Sequence, residues 1–298
     1  MMTTDNKNGK IVKPAGAVVV LGSLHYDVMV ETSRRPEKGE TVTGKRWYPK
    51  FGGKGGNQAV AAKLHGAQVR FVSATGSDNF ADYLHERLTQ VGISREYVPR
   101  IQSVETGMSV AIQDSDGDYG AVIVSGANLA IEPEILSDES LWLDSSILLL
   151  QNEVPESLNL IAAKQARYRN IPVCLNAAPV RQMSSDLANL IDILVVNAVE
   201  AHALGGRDIN SLDAAARTAK QLSARFPTVV VTAGGDGVAV YSRNGSSINL
   251  SAKEINVVST HGAGDVFTGT LCAEIAAGTT LHQAVEVANE RAGIHVAS

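Results

Sequence analysis

Two hydrophobic rhythms run along this chain. The first consists of continuous apolar runs: AVVVLG at 17–22, SILLL at 146–150, DILVVN at 192–197 and TVVVTAG at 228–234. Runs without alternation are the mark of parallel strands covered on both faces. QVRFVSA at 68–74 and PVCLN at 172–176 read as further strands. Between them the period changes to that of a helix. Residues 57–64 show it, Phe80, Leu84 and Leu88 recur at i, i+4 and i+8 and predict a helix over about 79–90, and further helices are expected near 156–168 and 211–224. Strands alternating with helices predict an α/β fold: a doubly wound, mostly parallel sheet with helices on both faces.

The second rhythm is more polar and alternating. Residues 26–32 and 41–48 follow it, separated by the turn formers RRPEKGE, and 107–113 and 121–125 form two apolar-rich runs joined by DSDGDYG, a hairpin signal. So few strands cannot bury two faces by themselves. They predict a small antiparallel β lid, from segments at about 38–51 and 106–126, lying over the main sheet and interrupting one domain that spans 16–298. Residues 1–15 are polar and predict a disordered tail. Exposed lid strands need cover, which makes a homodimer through the lid an expectation.

Composition narrows the function classes. The net charge of -5 on 298 residues argues against broad nucleic-acid binding, but not against a local nest of N–H groups that holds a phosphate. No run reaches the ~18 apolar residues of a membrane span, and residues 1–15 lack the apolar region of a signal peptide. A cytoplasmic protein acting on small molecules is the expectation. Cys174 and Cys272 sit in apolar stretches and predict buried free thiols, and no Cys/His cluster has zinc spacing.

Four stretches carry candidate chemistry. In STHGAGDVFTG, 259–269, two glycines precede an apolar helix, although glycine inside a helix costs roughly 1 kcal/mol relative to alanine. Gly262, Ala263 and Gly264 therefore read as an anion nest, with Asp265 in the first turn either complementing the helix dipole or accepting a hydroxyl proton. In FGGKGGNQAVAA, 51–62, glycines surround Lys54 and precede Asn57; the stretch reads as a flexible turn or as a ligand floor. It is not a dinucleotide fingerprint, because Gln58 stands at the third glycine position, and no P-loop pattern occurs in the chain. In NAVEAHALGG, Asn197 and Glu200 follow a strand end, where ligands bind in open sheets and where helix caps also occur. In VTAGGDGVAVY, Thr232, Gly234 and Gly237 follow another strand end, which a hairpin turn explains equally well.

The pairing of GGKGGNQA with a later GAGD resembles the ribokinase/phosphofructokinase-B family of carbohydrate and nucleoside kinases, from about Val18 to Val296. The resemblance implies ATP-dependent phosphorylation of a primary hydroxyl of a pentose-like sugar, with Mg²⁺. It assigns Asp265 as base and Gly262, Ala263 and Gly264 as the anion hole. Asp27, Gly53, Lys54, Asn57 and Glu153 would bind the sugar. Asn197 and Glu200 would handle the nucleotide phosphates and Mg²⁺ through water. Thr232, Gly234 and Gly237 would line the ATP phosphates, and Asn289 would lie near the adenine.

Two positions depart from the family pattern. His25 stands where ribose-pattern members carry asparagine, which alters hydrogen bonding at a sugar hydroxyl. Ser259-Thr260 replaces the usual Asp-Thr, which argues against activation by a monovalent cation, although backbone carbonyls could still hold a weaker site. The resemblance also implies that part of the family's C-terminal strand and helix is short or absent before Ser298. Alternatives are a nucleoside kinase of the same family, whose base would need an apolar wall of lid residues such as Met108 and Val110, and a non-catalytic sugar-binding regulator.

Overall fold

The computed structural model describes residues 16–115, 119–253 and 255–297. The expected tail and the centre of the DSDGDYG turn lie outside the described residues. The first half of the chain runs β1 (Ala17–Leu21), β2 (His25–Glu31), β3 (Arg46–Gly52), α1 (Lys54–Leu64), β4 (Gln68–Val72), α2 (Asn79–Val91), β5 (Met108–Gln113), β6 (Tyr119–Val124), α3 (Glu139–Trp142) and β7 (Ser145–Gln151). It continues through α4 (Glu156–Tyr168), β8 (Val173–Asn176), α5 (Ser185–Ala188), β9 (Ile193–Asn197), α6 (Ala198–Ala203), α7 (Leu212–Leu222) and β10 (Thr228–Thr232) to β11 (Val238–Ser242), β12 (Ser247–Leu250), α8 (Ala263–Ala276) and α9 (Leu281–Val296).

The main sheet has eight strands in the order β12-β11-β10-β9-β8-β7-β1-β4. Its strands are parallel except for β11 and β12, which return antiparallel after β10. The uninterrupted apolar runs are explained by burial on both faces. Val19, Leu21, Leu148 and Leu150 face α4, α5 and α7, while Val18, Val20, Ile147 and Leu149 face α1, α2, α8 and α9. Cys174 and Cys272 are buried free thiols. No helix among the described residues is long and apolar enough to cross a membrane.

A second sheet of four strands, β3-β2-β5-β6, forms the expected lid. It is mixed: β2–β3 and β5–β6 are antiparallel, but β2 and β5 pair in parallel. Turn signals report hairpins between neighbouring strands. The β2–β5 pair is instead separated by β3, α1, β4 and α2, so the chain enters the lid twice in the same direction. The strand expected over 41–48 runs later, because β3 pairs along its full length with β2, from His25↔Gly52 to Glu31↔Arg46. The hairpin and β12 that follow β10 were not legible beyond a turn at GGDG.

Candidate active site

Parallel strands deliver their C-terminal ends to one edge of the sheet, and a cavity of about 400 Å³ opens there beneath the lid. Glu153 follows β7, Asn176 ends β8, Asn197 ends β9 and Thr232 ends β10, and all four line the cavity. The N-termini of α1 and α8 close it from the other face of the sheet, bringing in Gly53, Lys54, Asn57, Gly262, Gly264 and Asp265. The lid supplies His25, Asp27 and Ser109.

Gly262 caps α8 with φ of 84°, a left-handed conformation that strains any residue with a Cβ. The first amides of α8 have no intrahelical acceptor, so the end of this helix presents N–H groups and positive potential to the cavity. Ala263 differs from its neighbours: it does not line the cavity, and its amide donates to the Thr260 carbonyl at 3.3 Å.

Asp265 sits in the first turn of α8 and is only 7% exposed. Its Oδ1 accepts from Gln58 Nε2 at 2.9 Å and its Oδ2 from Asn57 Nδ2 at 3.2 Å. Burial raises its pKa above the usual carboxylate value, against the opposing pull of the Lys54 charge and the two amide donors. Gln58, fully buried, also donates to Asn176 Oδ1 at 3.0 Å and accepts from Gln151 Nε2 at 2.7 Å. The Asp265 carboxylate is thus held by a line of buried amides that ties α1, β7, β8 and α8 together. The sequence used Gln58 only to exclude a dinucleotide fingerprint. Its place one residue after Asn57, on a helix opening toward the ligand floor, was the available signal.

On the lid side, Asp27 Oδ1 accepts from Ser109 Oγ at 2.6 Å. Burial raises the Asp27 pKa, opposed by that hydrogen bond and by nearby His25 and Lys50. Glu153 accepts from the Ser23 hydroxyl and, at 2.8 Å, from the Lys54 amide, so its carboxylate fixes the start of α1. His25 is 2% exposed, and its Nε2 has no hydrogen-bond partner while the ring lines the cavity.

Asn197 and Glu200 cap a helix at the mouth of the cavity. They form a reciprocal capping box at α6, with Asn197 N to Glu200 Oε2 at 2.8 Å and Asn197 Nδ2 to Glu200 Oε1 at 2.9 Å, and both line the cavity. Burial raises the Glu200 pKa, partly countered by its bonds to Asn197 and by Lys54.

Gly234, Gly237 and Asn289 do not line the cavity. Gly234 opens a short turn after β10, and Gly237 has φ of 113° with space so tight that a Cβ would meet the Leu250 carbonyl at 2.0 Å. That glycine is required by the hairpin. Asn289 donates to the Ser251 carbonyl at 3.1 Å, joining α9 to the segment after β12. Met108 and Val110 also lie outside the cavity, since strand alternation points Ser109 and Ala111 into it instead. Met29, Ala111, Ala121 and Ile123 make the apolar wall of the lid.

Comparison with known proteins identifies the family and agrees with the fold. The model of the pfkB family carbohydrate kinases matches residues 16–298. A ribokinase of Haemophilus influenzae is 32% identical over 281 residues, covering 94% of this chain and 92% of that protein. A ribokinase of Arabidopsis thaliana is 32% identical over 300 residues, covering 98% of this chain and 79% of that protein. The solved structure of an Arabidopsis thaliana ribokinase complexed with ribose and ATP has a TM-score of 0.87 at 30% identity, covering 95% of this chain and 93% of that one.

Proposed function

This chain belongs to the pfkB family of carbohydrate kinases, and from that premise we propose that it transfers the terminal phosphoryl group of ATP to a primary hydroxyl of a pentose-like sugar. The observation that carries this reading is the position of Asp265: a buried carboxylate on the first turn of α8, facing a cavity shared with Asp27, Asn57 and Lys54. Asp27, Lys54, Asn57 and Glu153 bind the sugar hydroxyls, and the unpartnered Nε2 of His25 meets one more. Gly262 and Gly264 hold the nucleotide phosphates at the helix end, alongside Asn197 and Thr232.

Asp265 accepts the proton of the acceptor hydroxyl. The new bond forms between that oxygen and the terminal phosphorus, the bond to the bridging oxygen breaks, and ADP departs with the bridging oxygen. Asn57 and Gln58 hold the carboxylate in place for this, and the lid excludes water that would compete as acceptor. Mg²⁺ accompanying the nucleotide would neutralise phosphate charge. Glu200 suits an outer position toward it, because it is a buried, cavity-lining carboxylate whose two oxygens already accept from Asn197, which leaves contact through water. The lid edge β6 exposes Val122, Ile123 and Val124 and β3 exposes Trp47, which supports a homodimer through the lid.

The test is ADP release with ATP, Mg²⁺ and a panel of ribose, deoxyribose, fructose phosphates and nucleosides. Turnover with a pentose supports the reading; turnover with none of the sugars overturns it. The apolar wall of Met29, Ala111, Ala121 and Ile123 favours a second reading, a nucleoside kinase whose base packs beneath the lid. A preference for a nucleoside over the free pentose would select it.

A further inference from the structure

Lys50 has no part in the chemistry described above, yet it reaches a residue that lines the site. Residues directly opposite one another across paired strands share a face. Lys50 on β3 lies opposite Asp27 on β2, which lies opposite Ser109 on β5, which lies opposite Ile123 on β6. The last three line the cavity, so this rung of the lid sheet crosses its roof and Lys50 ends it on the same face. From there its Nζ reaches His261 Nδ1 at 3.1 Å. An ammonium only donates, so the imidazole accepts and is neutral in this pair. Burial, followed by the charges of Lys50 and Lys54, holds the His261 pKa down at about 4. His261 immediately precedes Gly262, the cap of the α8 nest. Two lysine charges, one from α1 and one from the lid, therefore converge on His261 beside a helix N-terminus. Both also act on carboxylates of the site, Lys50 on Asp27 and Lys54 on Asp265 and Glu200, and their approach to the helix end adds positive potential where a phosphate would sit.

We propose that Lys50 is a phosphate ligand carried by the lid, which passes from His261 to the terminal phosphate of the nucleotide held at the N-terminus of α8. The inference rests on the kinase reading of that nest and goes beyond it by giving the lid a charge to deliver. Without the anion, His261 keeps the ammonium hydrogen-bonded and pointed inward. With the anion, exchanging a neutral nitrogen for charged oxygens strengthens the bond, so nucleotide binding and docking of the lid on the core become one event.

Calorimetric binding of ATP and of AMP to the full chain, wild type, K50M and K50R, tests this, with steady-state turnover on the preferred sugar in parallel. K50M is expected to weaken ATP by about tenfold or more, leave AMP unchanged and lower kcat, and K50R to recover most of each loss. K50Q takes the place of K50M if melting shows that K50M does not fold. A folded variant with an unchanged ratio of ATP to AMP affinity and unchanged kcat overturns the proposal, leaving Lys50 a plain latch. A change confined to the KM of the sugar also overturns it. If the wild type binds ATP but phosphorylates no sugar, the substrate reading fails while the ATP-to-AMP ratio still decides Lys50; a wild type that does not bind ATP overturns both.

Discussion

Replacing Gln58 by methionine keeps the side-chain volume but removes the amide that orients Asp265. In the wild type that amide donates to Asp265 Oδ1 at 2.9 Å and to Asn176 Oδ1 at 3.0 Å, and accepts from Gln151 Nε2 at 2.7 Å. A hydrogen bond to a charged group is worth about 1.5–3 kcal/mol. Gln58 stabilises the ionised form of Asp265, so losing it raises the Asp265 pKa further. At 1.36 kcal/mol per unit the upper bound is about 1–2 units. A base works only when ionised, so activity is lost as pH falls through its pKa. The acid limb of kcat/KM in Gln58→Met should therefore move to higher pH by up to about that amount, with a smaller effect on the alkaline plateau. The stability cost comes from the Asn176 oxygen and the Gln151 amide left unpaired, about 1–3 kcal/mol each. The assay is ADP release over pH at saturating ATP, with circular dichroism at each pH. A folded Gln58→Met enzyme whose acid limb coincides with the wild type would refute the claim that Gln58 holds Asp265 in its working state.

Other outcomes follow from the same geometry. Asp265→Asn should lower kcat by on the order of 10²–10⁴, the usual scale for a general base, without lowering Tm at neutral pH, because the fold penalises the buried charge that the substitution removes; wild-type turnover would exclude Asp265 as the base. Glu200→Gln should raise the Mg²⁺ concentration for half-maximal activity, and an unchanged titration would remove Glu200 from the metal's surroundings. His85 and His261 both have pKa values lowered from 6.5 to about 4, chiefly by burial. The unfolded chain takes up these protons first, so stability should fall as pH drops from about 6.5 to about 4. His85 lies outside the cavity, hydrogen-bonded to Thr75 Oγ1 at 2.9 Å. His85→Gln should flatten that decline in urea melts, and an undiminished slope would show that other groups govern it.

Much of the architecture was legible in one dimension. The helix expected over 79–90 is Asn79–Val91, the one near 156–168 is Glu156–Tyr168, and the uninterrupted apolar runs became strands buried on both faces. Burial imposes its period on the neighbours in sequence, so element type and the covered faces can be read locally. The glycines of GAG likewise announced a helix start, since the φ of 84° at Gly262 is a conformation that belongs to glycine itself. What lay beyond reach was partnership between distant positions. Gln58 meets Asp265 and Gln151, Lys50 meets His261, β2 lies parallel to β5, and Gly237 and Asn289 lie outside the cavity that Gly262 and Asn197 line. Those pairings depend on strand order, on the direction in which the chain re-enters the lid and on how far each helix end projects. No local pattern of polar and apolar residues carries that information, because it arises only when separate elements pack against one another.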